Sequence, residues 1–280
     1  MSLPLGLVLV AHLIMTALPA NDGMVAISKP TVEEPGILVH EVQSPYQAGA
    51  TQIRVLQPKT LVEGKRYPVI YVLPVEKGRE KVYGDGLKEI AGLGLADKWG
   101  VIFVAPTFSH LPWYADHPSA KEIRQESYFV KVVVPTIEAQ YPAQRDAKSR
   151  LLLGFSKSGW GAYSLLLRHP DLFGRAVAWD APLMMDRPGK YGSGEIFGTD
   201  ANFAKYRVST LLADQAEPHQ KEKRLILTGY GNFRGEHLAA HALMEKLKIL
   251  HEYRDGPARK HDWHSGWVGE AVELLLTKAP

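Results

Sequence analysis

The chain has 280 residues, 45% apolar and 22% charged, the balance of a globular protein able to bury one sizeable core. Lys and Arg (33) barely exceed Asp and Glu (30), giving a net charge of +3 without a long basic run, so no nucleic-acid surface is implied. The sequence has no cysteine, which excludes disulfides, thiolate metal sites and a cysteine nucleophile.

Leu3 to Leu18 is nearly all apolar, and Ala17 and Ala20 precede the polar pair Asn21-Asp22. This pattern predicts a signal peptide over residues 1–20, cleaved after Ala20, and hence a periplasmic or secreted protein. No Lys or Arg precedes the run, and Leu18 stands where a smaller residue is preferred. If Met24 is the true start, the protein is cytoplasmic. His12 and Pro19 interrupt the run, which is short for a span, so no stable membrane anchor is expected.

From residue 35 to 280 the sequence reads as a single domain without repeats or linkers. Strands are predicted at residues 36–41 and 51–56, then at the continuous apolar runs YPVIYVL (67–73) and VIFVA (101–105), as for strands buried on both faces. Residues 84–98 have helical spacing, as does the longer stretch 123–141, which Pro135 should kink or divide. Strands at 150–154, 175–179, 225–228 and 251–254 alternate with helices at 159–168, 236–247 and 267–276, with a Gly/Pro-rich excursion from Pro182 to Thr199. The alternation predicts a mostly parallel sheet of about eight strands with helices on both faces. Functional groups then belong on loops leaving the carboxyl ends of the strands.

Ser156 meets that requirement. LLLGFS is a buried strand running into Ser156, and SGWGAYSLLLRHP is a helix leaving it. A nucleophile in such a sharp turn needs small neighbours two residues away on either side, here Gly154 and Ser158. The Lys157 backbone N–H and the helix dipole would face a developing oxyanion. The G-x-S-x-S pattern alone carries little weight; its strand-turn-helix setting carries the assignment.

A base is required late in the chain, and His261 in KHDWHSGW follows the last strand. His264, three residues on, should already be entering the closing helix. His237 and His241 share a helix spacing that could suggest metal, but with no ligand cluster on another element they read as a solvated helix face, and no metal is expected. The acid is harder to place. The loop after the 225–228 strand reads Gly229-Tyr230-Gly231-Asn232, an amide where a carboxylate is usual, and an amide cannot stabilise an imidazolium as a carboxylate does. Asp180, at the end of the preceding strand, is the first choice, ahead of Glu236, which could simply complement a helix dipole, and of Asn232.

With RYPVIYVLP, ESYFVKVVVPTIEAQYP running into RLLLGFSKSGWGA, and HDWHSGW near the end, the chain resembles the esterase D and feruloyl esterase-like branch of the α/β-hydrolases. The likeness covers nearly everything after residue 35. It implies an α/β-hydrolase fold and a serine esterase needing no cofactor. Three positions depart from the family pattern. Pro74-Val75 replaces His-Gly, so that the Val75 N–H becomes the second oxyanion donor; Ser158 replaces glycine; and Asn232 stands at the acid.

Phe108, Trp113, Tyr114, Trp160, Trp179, Tyr230, Phe233, Trp263 and Trp267 form an aromatic set from which Trp113, Tyr114 and Trp160 are expected at the rim, with Trp160 binding substrate. The substrate, cleaved through an acyl-enzyme, is expected to be a small-molecule or carbohydrate-linked ester, among them acyl esters of carbohydrates or of aromatic acids. An acyltransferase using the same triad, and a binding protein with a degenerate triad, are the alternatives.

Overall fold

The computed structural model describes residues 23–33 and 35–277; the expected leader at 1–20 lies outside the described residues. Among the described residues ten strands form one sheet: β1 (Ala26–Ile27), β2 (Thr31–Glu33), β3 (Ile37–Gln43), β4 (Thr51–Leu56), β5 (Val69–Val72), β6 (Ile102–Pro106), β7 (Arg150–Phe155), β8 (Arg175–Trp179), β9 (Leu225–Tyr230) and β10 (His251–Ala258). Their spatial order is β1-β3-β4-β6-β5-β7-β8-β9-β10, with β2 beside β3. From β6 to β10 every pairing is parallel, whereas β3 and β4 are antiparallel to their neighbours. The count is therefore ten rather than the expected eight. The two additions, β1 and β2, have two and three residues, too few to show any periodicity.

Both faces of the sheet are covered, and strand residues alternate between two cores. Val69, Tyr71, Leu152, Ala176 and Leu225 face a core shared with Phe129, Val133, Leu165 and Met244. Ile70, Val72, Leu151, Val177 and Ile226 face the other, with Leu87 and Ile90 of helix Gly86–Gly92 and Val268 and Val272 of helix Val268–Leu276. Burial on two sides is why β5 and β6 read as unbroken apolar runs.

Pro135 divides its helix as expected, and the structure shows how. Helix Gln125–Tyr128 passes into a π-helical turn, Phe129–Val133, before helix Val134–Gln140 begins with Pro135 in its first turn. A proline lacks the N–H that would bond one turn back, and widening the preceding turn makes room for its ring. The Thr136 hydroxyl donates to the Val132 carbonyl at 2.6 Å and satisfies an acceptor there.

Candidate active site

The parallel strands bring the ends of β5, β7, β8, β9 and β10 to one edge of the sheet, and Val75, Ser156, Asp180 and His261 follow the ends of β5, β7, β8 and β10. β7, buried throughout, delivers Ser156 at φ +51°, a left-handed conformation rare for a residue with a side chain. Such strain costs about 1–3 kcal/mol and persists only where the surroundings impose it. Here they do. A Cβ at Gly154 would lie 2.2 Å from the Ser158 carbonyl oxygen, so only glycine fits two residues before the serine. Ser158 Oγ donates to the Phe155 carbonyl (2.9 Å) and accepts from the Phe155 N–H (3.0 Å), clamping the turn. The serine that departs from the family pattern thus supplies a cap that glycine would lack. Helix Ser156–Arg168 then presses onto β8, with Gly159 against Ala178 and Ala181.

Asp180 follows β8 directly, also at positive φ (+43°), with its side chain fully buried. Its Oδ2 is 2.5 Å from His261 Nδ1. The Gly229-Tyr230-Gly231-Asn232 loop after β9 wraps this carboxylate. The Asn232 N–H donates to Oδ2 at 2.9 Å and the Phe233 N–H to Oδ1 at 2.6 Å. Gly231 is required, since a Cβ there would lie 2.7 Å from Asp180 Oδ2. Burial alone would raise the Asp180 pKa. The His261 hydrogen bond and the N–H groups of Gly231, Asn232 and Phe233 outweigh it and hold the carboxyl below the ordinary aspartate range. The loop that lacks an acid therefore serves an acid one strand away, through its backbone.

The alternatives are occupied elsewhere. Glu236 Oε2 accepts the Met184 N–H at 2.6 Å. His264 is not entering a helix, which begins only at Val268; its Nδ1 meets Glu89 Oε2 at 2.6 Å, and its Nε2 accepts the Asp85 N–H at 3.2 Å. His237 is not on a solvated face. It is buried, accepts the Ala181 N–H at 2.8 Å and thereby braces the turn after Asp180.

His261 is held by rings on several sides. Phe155, the residue before Ser156, lies at 4.9 Å between centroids, Tyr83 at 5.5 Å and Phe233 at 5.7 Å. The HDWHSGW segment is fixed by the Trp267 indole N–H donating to the Asp262 carbonyl (2.9 Å) and by Trp267 stacking on Trp179 (5.0 Å). With Nδ1 turned to Asp180, Nε2 is the ring nitrogen left for another partner. Among the described residues Ser156 Oγ makes no hydrogen bond with His261; the serine is 8% exposed, and such bonds commonly tighten only when substrate binds.

Val75 is buried, and the peptide that carries its N–H is fixed in orientation. The Tyr114 hydroxyl donates to the Pro74 carbonyl at 2.6 Å. In a trans peptide the N–H points opposite to that carbonyl, so the Val75 N–H is aimed away from Tyr114. Gly161 allows the approach, since a Cβ there would lie 2.1 Å from the Tyr114 ring. The adjoining Glu76 accepts the Val82 and Tyr83 N–H groups at 2.5 and 3.2 Å, which closes the loop carrying Tyr83. Burial raises the Glu76 pKa and lowers that of Lys157, whose ammonium sits 5.7 Å from the Tyr83 ring centre.

The expected aromatic rim needs correction. Trp113, Tyr114 and Trp160 are all buried, and Trp160 has no exposed surface. It packs among Trp113, Phe197 and Phe203, so it is a core residue with no face for a substrate. The excursion after Asp180 supplies that cover: helix Gly194–Phe197 brings Phe197 onto both tryptophans. Its exposed Tyr191 meets Phe233, a neighbour of His261, at 5.5 Å.

The family model described as "Putative esterase" matches residues 101–268, more than half of the chain. No curated protein matches by sequence. Among solved structures, a ferulic acid esterase superposes with a TM-score of 0.68 at 20% identity, over 89% of this chain and 97% of that one. An S-formylglutathione hydrolase from Agrobacterium tumefaciens gives 0.69 at 14% identity, over 91% and 99%. The fluorophosphonate-binding serine hydrolase F of Staphylococcus aureus gives 0.69 at 17%, over 90% and 100%. At these identities the superpositions show a shared fold, and the family match adds the esterase family. The chain belongs to this esterase family and has the α/β-hydrolase fold.

Proposed function

We propose that the chain hydrolyses carboxylic esters through a Ser156–His261–Asp180 triad and an acyl-enzyme. The observation that supports this most is the 2.5 Å contact between His261 Nδ1 and the buried, ionised Asp180 beside the strained turn of Ser156. His261 Nε2 takes the proton as Ser156 Oγ attacks the ester carbonyl, and Asp180 stabilises the imidazolium that forms. The Lys157 N–H, at the start of its helix, and the Val75 N–H hold the oxyanion. The proton then passes to the departing alcohol, and water attacks the acyl-Ser156 ester by the reverse sequence.

A cleft of about 260 Å³ opens beside Val75 and Trp263, lined by Glu41, Arg54, Glu76, Arg79 and Lys81. None of Ser156, Asp180 and His261 lines it, so we take carbohydrate-linked esters as the substrate class from the expected export of the chain alone. The apolar segment at 1–20 supports export, and no helix of the described residues is long and apolar enough to cross a membrane.

Turnover of p-nitrophenyl acetate and of acetylated or feruloylated sugars, with Ser156→Ala beside the wild type, tests the reading. We expect turnover by the wild type, short acyl chains preferred, and loss of at least about a thousandfold in the variant. Equal turnover by Ser156→Ala would overturn it. An alcohol acceptor that diverts acyl product from acid to new ester would reassign the enzyme as an acyltransferase.

A further inference from the structure

The sequence presents His241 as a histidine on a helix without a partner; the fold supplies one. Helix Arg234–Lys246 carries His241 and Glu245 one turn apart, and His251 opens the edge strand β10 beside them. His241 Nδ1 and His251 Nε2 are 2.8 Å apart. Glu245 Oε1 lies 3.7 Å from the same His251 nitrogen, and one ligand atom from each residue falls within 4.8 Å of the others.

The tautomer of His251 follows from its other nitrogen. His251 Nδ1 is 2.8 Å from the Ile249 carbonyl, which can only accept, so Nδ1 carries the proton. The Nε2 lone pair is therefore aimed at His241. A backbone carbonyl holding one imidazole nitrogen while the other faces a cation is the usual outer support of a metal-bound histidine. The His251 side chain is only 2% exposed, and the His241 ring stacks on Tyr253 at 4.1 Å and 15°, so both rings are held before any ion arrives.

We infer that His241, Glu245 and His251 form a binding site for a divalent cation of the zinc type. Two nitrogens and a carboxylate oxygen suit zinc, with water completing a tetrahedron. Nitrogens on a tetrahedral zinc with bonds of about 2.0–2.1 Å stand about 3.3 Å apart, so the rings need spread by only about half an ångström. Glu245 is exposed and free to swing in. His251 pairs with Leu225 at the start of β9, at the end of the sheet opposite Ser156. The ion would thus pin the helix to the edge strand across the Leu247–Leu250 turn, a structural rather than a catalytic role.

The test is calorimetric titration of EDTA-stripped, full-length protein with ZnCl₂ at pH 7.5, with Glu245→Gln and His241→Gln in parallel. Glu245 is exposed and bonds nothing essential, so its variant will fold whatever the fate of the other. We expect one zinc per chain at a Kd below about 10 μM, weakened at least tenfold in each variant, and a zinc-dependent rise in wild-type Tm. Hydrolysis of p-nitrophenyl acetate should not change on stripping or loading. No binding tighter than millimolar, or unaltered binding in either variant, would overturn the site and leave a simple histidine–histidine hydrogen bond.

Discussion

Replacing Asp180 by Asn tests the triad where its structure is most specific. Asparagine tolerates positive φ better than most residues, so the backbone at +43° should be kept. The side chain cannot keep its bonds. Asp180 Oδ1 accepts the Phe233 N–H while Oδ2 accepts the Asn232 N–H and faces His261 Nδ1. An amide has one acceptor oxygen, so in either orientation its NH₂ confronts a backbone N–H. That conflict costs about 1–3 kcal/mol, or a Tm lowered by roughly 2–4 °C per kcal/mol, and the protein should still fold. Catalysis should suffer more. Without the buried charge the imidazolium loses its counter-ion, and the corresponding loss in triad hydrolases is about 10⁴ in kcat, or about 5 kcal/mol of transition-state stabilisation. Steady-state kinetics on p-nitrophenyl acetate and a calorimetric Tm measure the two effects separately, with Glu236→Gln as control, because among the described residues the Glu236 side chain binds only the Met184 N–H. If Asp180→Asn keeps kcat/KM within threefold of the wild type while Glu236→Gln loses it, the assignment is refuted.

Other predictions follow from the same geometry. Gly154→Ala would force a Cβ to 2.2 Å from a backbone oxygen, so we expect at least about 3 kcal/mol of destabilisation by urea unfolding together with loss of activity. Tyr114→Phe removes the donor that fixes the Pro74–Val75 peptide, and kcat should fall about tenfold with KM little changed; an unaltered kcat would argue against Val75 in the oxyanion site. Burial pushes both His219 and His237 down to about 4, so each stays neutral in the fold at pH values where the unfolded chain takes up a proton. Their stabilisation is therefore present above about pH 6.5 and lost as pH falls towards 4, by up to about 3 kcal/mol each. His219→Leu removes one share, along with two buried ring nitrogens that have no hydrogen-bond partner, and should raise Tm over the wild type more at pH 5 than at pH 8.

Features decided by local order along the chain were readable from it, and features decided by contact across the fold were not. The turn at Ser156 shows in sequence because a buried strand, a small-residue turn and a helix are adjacent. Asp180 shows because it carries charge directly at a strand end. That Asn232 serves Asp180 through its N–H was hidden, because a backbone donor leaves no mark in the sequence. Trp113, Tyr114 and Trp160 follow strand ends and so suggested a rim, but Phe197, reached only after a long excursion, covers both tryptophans. His237 suggested a solvated face because its partner, the Ala181 N–H, lies 56 residues away. β1 and β2 are too short for any pattern and exist through their pairing with β3.

The proposed hydrolysis stands or falls with Ser156 as a nucleophile activated by His261. Incubating the full chain with a fluorophosphonate probe and mapping the adduct by peptide mass spectrometry tests it most directly. We expect stoichiometric modification of Ser156, absent in Ser156→Ala and slowed by orders of magnitude in His261→Ala. An unlabelled wild-type Ser156, or labelling that persists at full rate without His261, would contradict it.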